Sequence, residues 1–277
     1  MQCQEAMAAL ESCQHEGTKK TFLRHGAKEP LYGVRIADQT KLAKQIKVDH
    51  ALADALMTTG NTDARVLAML IADPKALTFA QADRWLHTMR WHMEMHYLGQ
   101  VVGRSAVWQQ CMQAWMDSDD ELIASCGYGL LCQRLKEDAA SIADGDAKKI
   151  LATIERQIHR AQNRVRLNMN SALIAIGTYK VSLREAAIAA AGRIGPVQVD
   201  HGDTDCKTPD AASYILKAGA HADRMAQGRA AKKGKGQPGP ADATGPTGRA
   251  APAQRATKPR STARPAAKAG GKKAAKS

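Results

Sequence analysis

His92 and His96 stand four residues apart, a spacing that sets two imidazoles on one face of a helix and could offer both to one metal ion. The zinc-protease order puts a glutamate directly after the first histidine; here Met93 takes that place and Glu94 follows. Lining or surface histidines are therefore expected, with no metal and no cofactor. A second cluster, His201-Gly202-Asp203-Thr204-Asp205-Cys206-Lys207, gathers an imidazole, two carboxylates and a thiol in one segment. No residue elsewhere stands at a spacing that would complete a metal or nucleophile site, so Asx turns and helix capping account for it first. His201, Asp203, Asp205 and Cys206 are still the densest group of reactive side chains in the chain, and a second activity would sit there. Arg156, Arg160 and Arg164 follow at intervals of four with Arg166 close by, which on one continuous helix makes a stripe suited to phosphates. Trp85, Trp91, Trp108 and Trp115 fall in one stretch; Trp108 and Trp115, seven apart, share a helix face and read as core.

The elements that must position these residues are helices. Apolar positions recur at helical spacing in 6–10, 51–56, 66–71, 122–131, 150–158, 167–176 and 186–194. Cap residues mark the starts: Thr62-Asp63, Thr78, Asp119 and Ser182, with Thr208-Pro209-Asp210 as a cap followed by proline at the first helical position. No alternating run bounded by turns suggests a sheet, so the fold class is all-α. Three segments, 61–73, 119–133 and 162–177, each join a polar cap to an apolar stripe holding small residues, as the inner helix of a stacked pair requires. Their spacing, about 40–60 residues with one further pair around 91–116, predicts a HEAT-like or armadillo-type helical-repeat superhelix.

Charge divides the 277 residues in two. From Arg229 to Ser277, 13 basic residues face one acid, Asp242, so nearly all of the net charge of +13 lies there. That segment holds Lys232, Lys233, Lys272 and Lys273, six of the ten prolines and no aromatic residue, and it reads as a disordered cationic tail on a near-neutral body, 1–228. Within the body, Lys19–Lys47 (with Lys44 and Lys47) and Lys148–Arg193 are basic blocks that a curved array could turn into one inner face, and Asp117–Asp146 is acidic. No apolar run approaches the roughly 18 residues a bilayer span needs, and the N-terminus lacks the basic start of a secretory signal. Six cysteines without framework spacing read as reduced thiols. A monomer in a bacterial-type cytosol, near the nucleoid, is expected.

YGVRIADQTKLAKQIK (32–47), DHALADALMTTGNTDARVLAMLIADP (49–74) and NRVRLNMNSALIAIG (163–177) resemble the DNA alkylation repair family, HEAT-like-repeat DNA glycosylases that remove N3- and N7-alkylated purines; VDHGDTDCKTPDA (199–211) resembles a stretch of one subgroup. The resemblance covers about 5–220 and implies binding to duplex DNA without sequence preference. The lost base is already cationic, so the departing sugar develops positive charge that a nearby carboxylate stabilises, while tryptophan faces hold base and sugar. The family's motif is Trp-Asp-x-x-Asp, its last Asp catalytic, completed by a later Arg and a later Trp. Here Trp91 keeps the first position, but Met95 stands at the catalytic one, Ser125 near the arginine and Ser171 near the tryptophan. Glu94 is adjacent, yet one residue turns a helix by about 100°. The expectation is a DNA-binding family member whose excision chemistry has lost its carboxylate, with Lys44, Lys47, Arg65, Arg156, Arg160, Arg164, Arg166, Lys207 and the tail lysines meeting phosphates. The alternatives are an active glycosylase using Glu94 with Trp91 or a group of the 201–207 segment, and a scaffold for another protein.

Overall fold

The computed structural model describes residues 1–202 and 205–234, except for the side chains of 222 and 225–234. The described residues form thirteen α-helices and two short 3-10 turns, with no strand among them. The first half contains α1 (Cys3–Ser12), α2 (Glu16–Arg24), α3 (Ile36–Ile46), α4 (His50–Thr58), α5 (Thr62–Ile71), α6 (Phe79–Thr88) and α7 (His92–Val102). Then come α8 (Trp108–Met116), α9 (Glu121–Glu137), α10 (Asp144–Gln157), α11 (Asn163–Tyr179), α12 (Arg184–Ile194) and α13 (Ala211–Gly234). The last helix runs past 228, where the body was expected to end.

Each apolar stripe expected from the sequence lies on a helix, but several starts are capped one residue away from the expected position. Asn61, not Thr62, accepts Ala64 N–H at the head of α5, and Asp120, not Asp119, accepts Leu122 and Ile123 N–H at the head of α9. Thr78 caps α6 as expected. At α13 the cap is Asp210, which accepts Ser213 N–H, so Pro209 precedes the cap and does not follow it. Ser182 lies in a 3-10 turn and donates to Asp144. Asp63, freed from capping, is buried and accepts the N–H groups of Tyr32, Gly33 and Val34 together with Gln39 Nε2. One carboxylate thus pins the 32–34 segment to α5, where Gly33 at φ 77° passes so close to Lys19 N that a Cβ would sit 2.5 Å from it.

Two layers of helices follow from the packing. In the inner row, α3 packs on α5, α5 on α7, α7 on α9 and α9 on α11; α4, α6, α8, α10 and α12 form the outer row. Bonds between successive repeats recur at nearly constant separation: His50 to Gln81 (31), Asp54 to Trp85 (31), Asp83 to Trp115 (32), Cys126 to Met95 (31) and Arg134 to Gly103 (31). The repeat in this part is therefore about 31 residues, as the expected further pair around 91–116 between the similar segments at 61–73 and 119–133 requires, and it widens to 43 between Glu121 and Arg164. Trp85 and Trp115 each bury the indole against the core and donate Nε1–H to an aspartate of the preceding outer helix. Trp108 is only half-buried, with the Arg134 guanidinium 4.8 Å from its ring centre.

Candidate nucleic-acid interface

The inner row carries a cleft of about 910 Å³ whose walls are successive faces of α7, α9 and α11. Each wall is a run of residues three or four apart, the spacing that keeps side chains on one helix face. His92, His96, Gln100 and Arg104 come from α7 and the turn after it; Ser125, Gly129, Gln133 and Glu137 from α9; Arg164, Asn168 and Ser171 from α11. Met95, Cys126, Leu130 and Leu167 add apolar surface between them. The three helices run parallel, since Met95 meets Cys126, Gly103 meets Arg134 and Arg164 meets Glu121. Their N-terminal ends therefore lie side by side, with Met95, Ser125 and Ser171 on one cleft.

Those three residues are the ones standing where the family resemblance expects an aspartate, an arginine and a tryptophan. The structure brings the three positions together with none of the three functional groups. The Ser125 and Ser171 hydroxyls donate back to their own helices, to Leu122 O and Leu167 O, both at 3.0 Å. Glu137 is the only carboxylate among the described residues lining the cleft. It lies about 18 Å further along α9 than Ser125 at about 1.5 Å per residue, and it accepts from Gln133 and pairs with Arg134 at 3.3 Å.

Trp91 and Glu94 do not reach this cleft. Trp91 is the N-cap of α7 and is 4 % exposed. Its ring packs against Phe22, Ala27, Leu31 and Met93, centred 5.0 Å from the Phe22 ring, and its Nε1–H donates to His25 O. Glu94 is wholly buried; Oε2 accepts the Arg90 and Trp91 N–H groups at 3.0 Å and Oε1 faces Arg65 Nη1 at 3.3 Å. It occupies the third helical position, where a glutamate folds back onto the cap. The adjacent Met95, a helical step of about 100° away, faces the cleft. Arg65 pairs with Glu94, and its side chain is 12 % exposed.

The arginine stripe does not form, because α10 ends at Gln157 and a turn intervenes. Arg156 lines a different cavity between α8 and α10, beside Asp117, Asp119 and Asp146. Arg160 is exposed in the turn. Arg164 lines the cleft, whereas Arg166 donates to the carbonyls of Gln198 and Ala161. The rest of the 148–193 basic block is largely wiring between helices, with Lys180 on Asp144, Arg184 on Asp223 and Arg193 on Glu155. Lys44 and Lys47 are exposed at the end of α3 and do not line the cleft. Arg104 and Lys136, which the motif reading passed over, are exposed on its rim. The four-residue stepping from His92 through Arg104 was the signal that could have found the α7 wall.

Gln198, Asp200 and Pro209 are tied to another face of α11. Asn163 exchanges two hydrogen bonds with the Asp200 backbone, Arg166 holds Gln198 O and Asn170 holds Pro209 O. His201 Nε2 lies 2.9 Å from Thr208 Oγ1, and Asp205, Cys206 and Lys207 are exposed. Asp203 is outside the described residues, as are Lys272 and Lys273; Lys232 and Lys233 lie in α13 and their side chains are not described. Among the described residues no group of three His, Cys, Asp or Glu side chains is placed to hold a metal, and no helix is long and apolar enough to cross a membrane.

The cleft is cationic on its rim and neutral within. Burial, followed by the charge of Arg164 and the neighbouring His25 and His96, pushes His92 down to about 4, so its imidazole is uncharged at neutral pH. Cys126 and Cys132, also lining the cleft, are pushed up to about 12 chiefly by burial, which keeps them as thiols and denies them the nucleophilicity an alkyl acceptor needs.

Comparison with known proteins agrees with this architecture. An uncharacterised protein of Listeria monocytogenes serovar 1/2a is 31% identical over 215 residues, 76% of this chain and 93% of that protein. A second, from Listeria innocua serovar 6a, matches to the same extent. One solved structure superposes with a TM-score of 0.73 at 29% identity, covering 83% of this chain and 96% of its own. It is described as belonging to a new family of proteins related to the HEAT-like repeat DNA glycosylases with affinity for branched DNA structures. The profile of the family described as DNA alkylation repair enzyme matches residues 6–215, almost all of the two-layered helical body, and the chain belongs to that family.

Proposed function

We propose that this protein binds DNA along the α7–α9–α11 cleft, through the phosphate backbone, and does not excise alkylated bases. The observation that carries this reading is the distribution of charge on the cleft. Arg104, Lys136 and Arg164 stand on its walls, while the position of the expected catalytic carboxylate is Met95. Cations on a rim position a backbone. Without an anion beside the sugar, the charge that develops as the glycosidic bond breaks goes unstabilised. Excision through a displaced Glu94 finds no support in a carboxylate that is buried and committed to Arg65, Arg90 and Trp91. The affinity of the structural relative for branched DNA favours junctions and forks over plain duplex as ligands. The tail lysines, Lys232, Lys233, Lys272 and Lys273, add unselective attraction to any polyanion.

Fluorescence anisotropy of the full chain on labelled duplex and four-way junction, across a salt series, tests the reading. Replacing Arg104, Lys136 and Arg164 with alanine should lower the slope of log K against log salt by about 3. Incubation with N7-methylguanine duplex should release free base no faster than the spontaneous rate. Unchanged binding in the triple variant, or protein-dependent base release, would overturn the proposal.

A further inference from the structure

Neighbouring helices of the outer row are tied to each other by side chains, with one exception. His50 and Asp54 of α4 hold Gln81, Arg84 and Trp85 of α6; Asp83 of α6 holds Trp115 of α8; Glu155 of α10 holds Arg193 of α12. Between α8 and α10 the described residues form no such bond, and a cavity of about 610 Å³ opens there instead. The gap falls in the stretch where the repeat widens to 43 residues. Its lining shares no residue with the cleft of the inner row, so what it binds is independent of the DNA reading.

Tyr128 of α9 lines this cavity, is 2 % exposed, and its hydroxyl has no hydrogen-bond partner among the described residues. Helical side chains lean toward the N-terminus of their helix, which for Tyr128 is the end where Asp117 and Asp119 stand just ahead of α9. Burial first, and then the Asp117 charge, pushes the phenol up to about 12, so it keeps its proton at neutral pH. A buried hydroxyl without a partner carries a desolvation cost that a ligand atom can relieve. Asp117 and Asp119 are exposed and pair with no cation among the described residues, whereas the third lining carboxylate, Asp146, is taken by Lys149 at 3.2 Å. Asp117 is also the C-cap of α8, where the negative end of the helix dipole adds to the attraction for a cation. Arg156 lines the same cavity and pairs with none of these acids. Met112, Met116 and Ile150 supply apolar surface among the charged groups, of the kind along which a methylene stem lies. Two free carboxylates beside an unpartnered hydroxyl call for a cationic donor, and a free guanidinium calls for an oxygen acceptor. A basic amino acid carries both, at the two ends of an apolar stem.

We propose that the gap between α8 and α10 is a binding site for a basic amino-acid residue, free or carried in a peptide, with Asp117, Asp119 and the Tyr128 hydroxyl taking its side-chain cation and Arg156 its carbonyl or carboxylate oxygen. The cavity volume falls in the range of about 300–1,000 Å³ usual for small-ligand sites. Tyr128→Phe is the decisive variant, because it keeps the packed ring and removes only a hydroxyl that bonds to nothing in the fold.

The full chain should be titrated by calorimetry with L-arginine, with acetyl-Ala-Arg-Ala-amide and with L-norleucine, which has the stem without the cation. Arginine in at least one of its two forms should bind at millimolar concentration, and norleucine should not. Binding of the free amino acid alone assigns a small-molecule ligand, and binding of the capped peptide alone assigns a segment of a partner protein. Tyr128→Phe should melt with wild type and lower the affinity about tenfold or more, the loss expected for one hydrogen bond to a charged group. The Asp117→Asn, Asp119→Asn double variant should lower it further. Glu185→Gln, which changes an exposed acid of α12 outside the cavity, should bind as wild type. Three results would each overturn the site: neither form of arginine binds, norleucine binds as well as arginine, or the affinity is unchanged in Tyr128→Phe and in the double variant.

Discussion

Changing Glu94 to alanine should cost stability and leave DNA chemistry untouched, because the side chain holds the fold together at the start of α7. Oε2 satisfies two backbone donors, the N–H groups of Arg90 and Trp91, each at 3.0 Å, and the second of these is buried. Oε1 neutralises Arg65, whose guanidinium is 12 % exposed. Removing one partner of a buried charged pair costs about 3–5 kcal/mol, since the other charge is left behind. The Arg65 contact is single and 3.3 Å long, so the two capping bonds supply the larger part, and the lower half of that range is expected. For a body of this size each kcal/mol moves the melting temperature by about 2–4 °C, so Glu94→Ala should melt roughly 6–16 °C below wild type. Glu94→Gln keeps one acceptor oxygen for the cap and loses the charge, and should fall between the two. Arg65→Met should cost less than Glu94→Ala, and the double variant less than the sum of the two, with a coupling of about 0.5–3 kcal/mol. Thermal denaturation followed by circular dichroism measures all four proteins. A Glu94→Gln protein that melts with wild type, yet loses a base-release activity that wild type shows on N7-methylguanine duplex, would refute this account and make the carboxylate catalytic.

Three further outcomes follow from named contacts. His92 titrates at about 4 in the folded chain against an ordinary 6.5, so the unfolded chain takes up the proton first; stability from this group is complete above pH 6.5 and is lost as pH falls from 6.5 toward 4. His92→Gln should flatten the denaturation midpoint across that window, and an unchanged pH profile would count against the burial argument. Among the glycines of α9, a Cβ at Gly127 would lie 2.5 Å from the Met116 backbone nitrogen, whereas one at Gly129 would meet nothing within 4 Å. Gly127→Ala should therefore destabilise the protein, while Gly129→Ala should stabilise it by about 0.5–1 kcal/mol through helix propensity, as chemical denaturation will report. Cys111, Cys126 and Cys132 are each pushed up to about 12 by burial above all, so a thiol reagent at neutral pH should label the exposed Cys13 and Cys206 quickly, the part-buried Cys132 slowly, and the buried Cys111 and Cys126 only on unfolding.

The all-α class and the stripes of α4, α5, α9, α10, α11 and α12 were legible because hydrophobic periodicity is local and each of these helices buries a strong face. The repeat length was legible only in outline, from the interval between similar segments and the further pair around 91–116. It is set by bonds such as Asp54 to Trp85 and Cys126 to Met95, between residues about 31 apart, which no local window of sequence relates. The inner helix that would have shown it, α7, buries methionine and glycine among its apolar positions and so lacks an obvious stripe. The alignment by motif also put Met95, Ser125 and Ser171 together, and they do line one cleft. The partners of the basic residues were not legible, for a reason that belongs to stacked-helix proteins. A stack must tie each repeat to the next, and charged side chains supply many of the ties: Arg65 to Glu94, Lys180 to Asp144, Arg184 to Asp223, Arg193 to Glu155. A block of basic residues in the sequence therefore counts ties and contacts together, and only a partner across the repeat distinguishes them. Arg104 and Lys136 stand on the rim, and among the described residues Arg104 pairs with no acid and donates Nε–H to the Gln100 carbonyl of α7. In this fold, charge left available for a ligand is charge that no neighbouring repeat has claimed, and it is to be sought along the inner faces in steps of four residues rather than in the densest basic stretch.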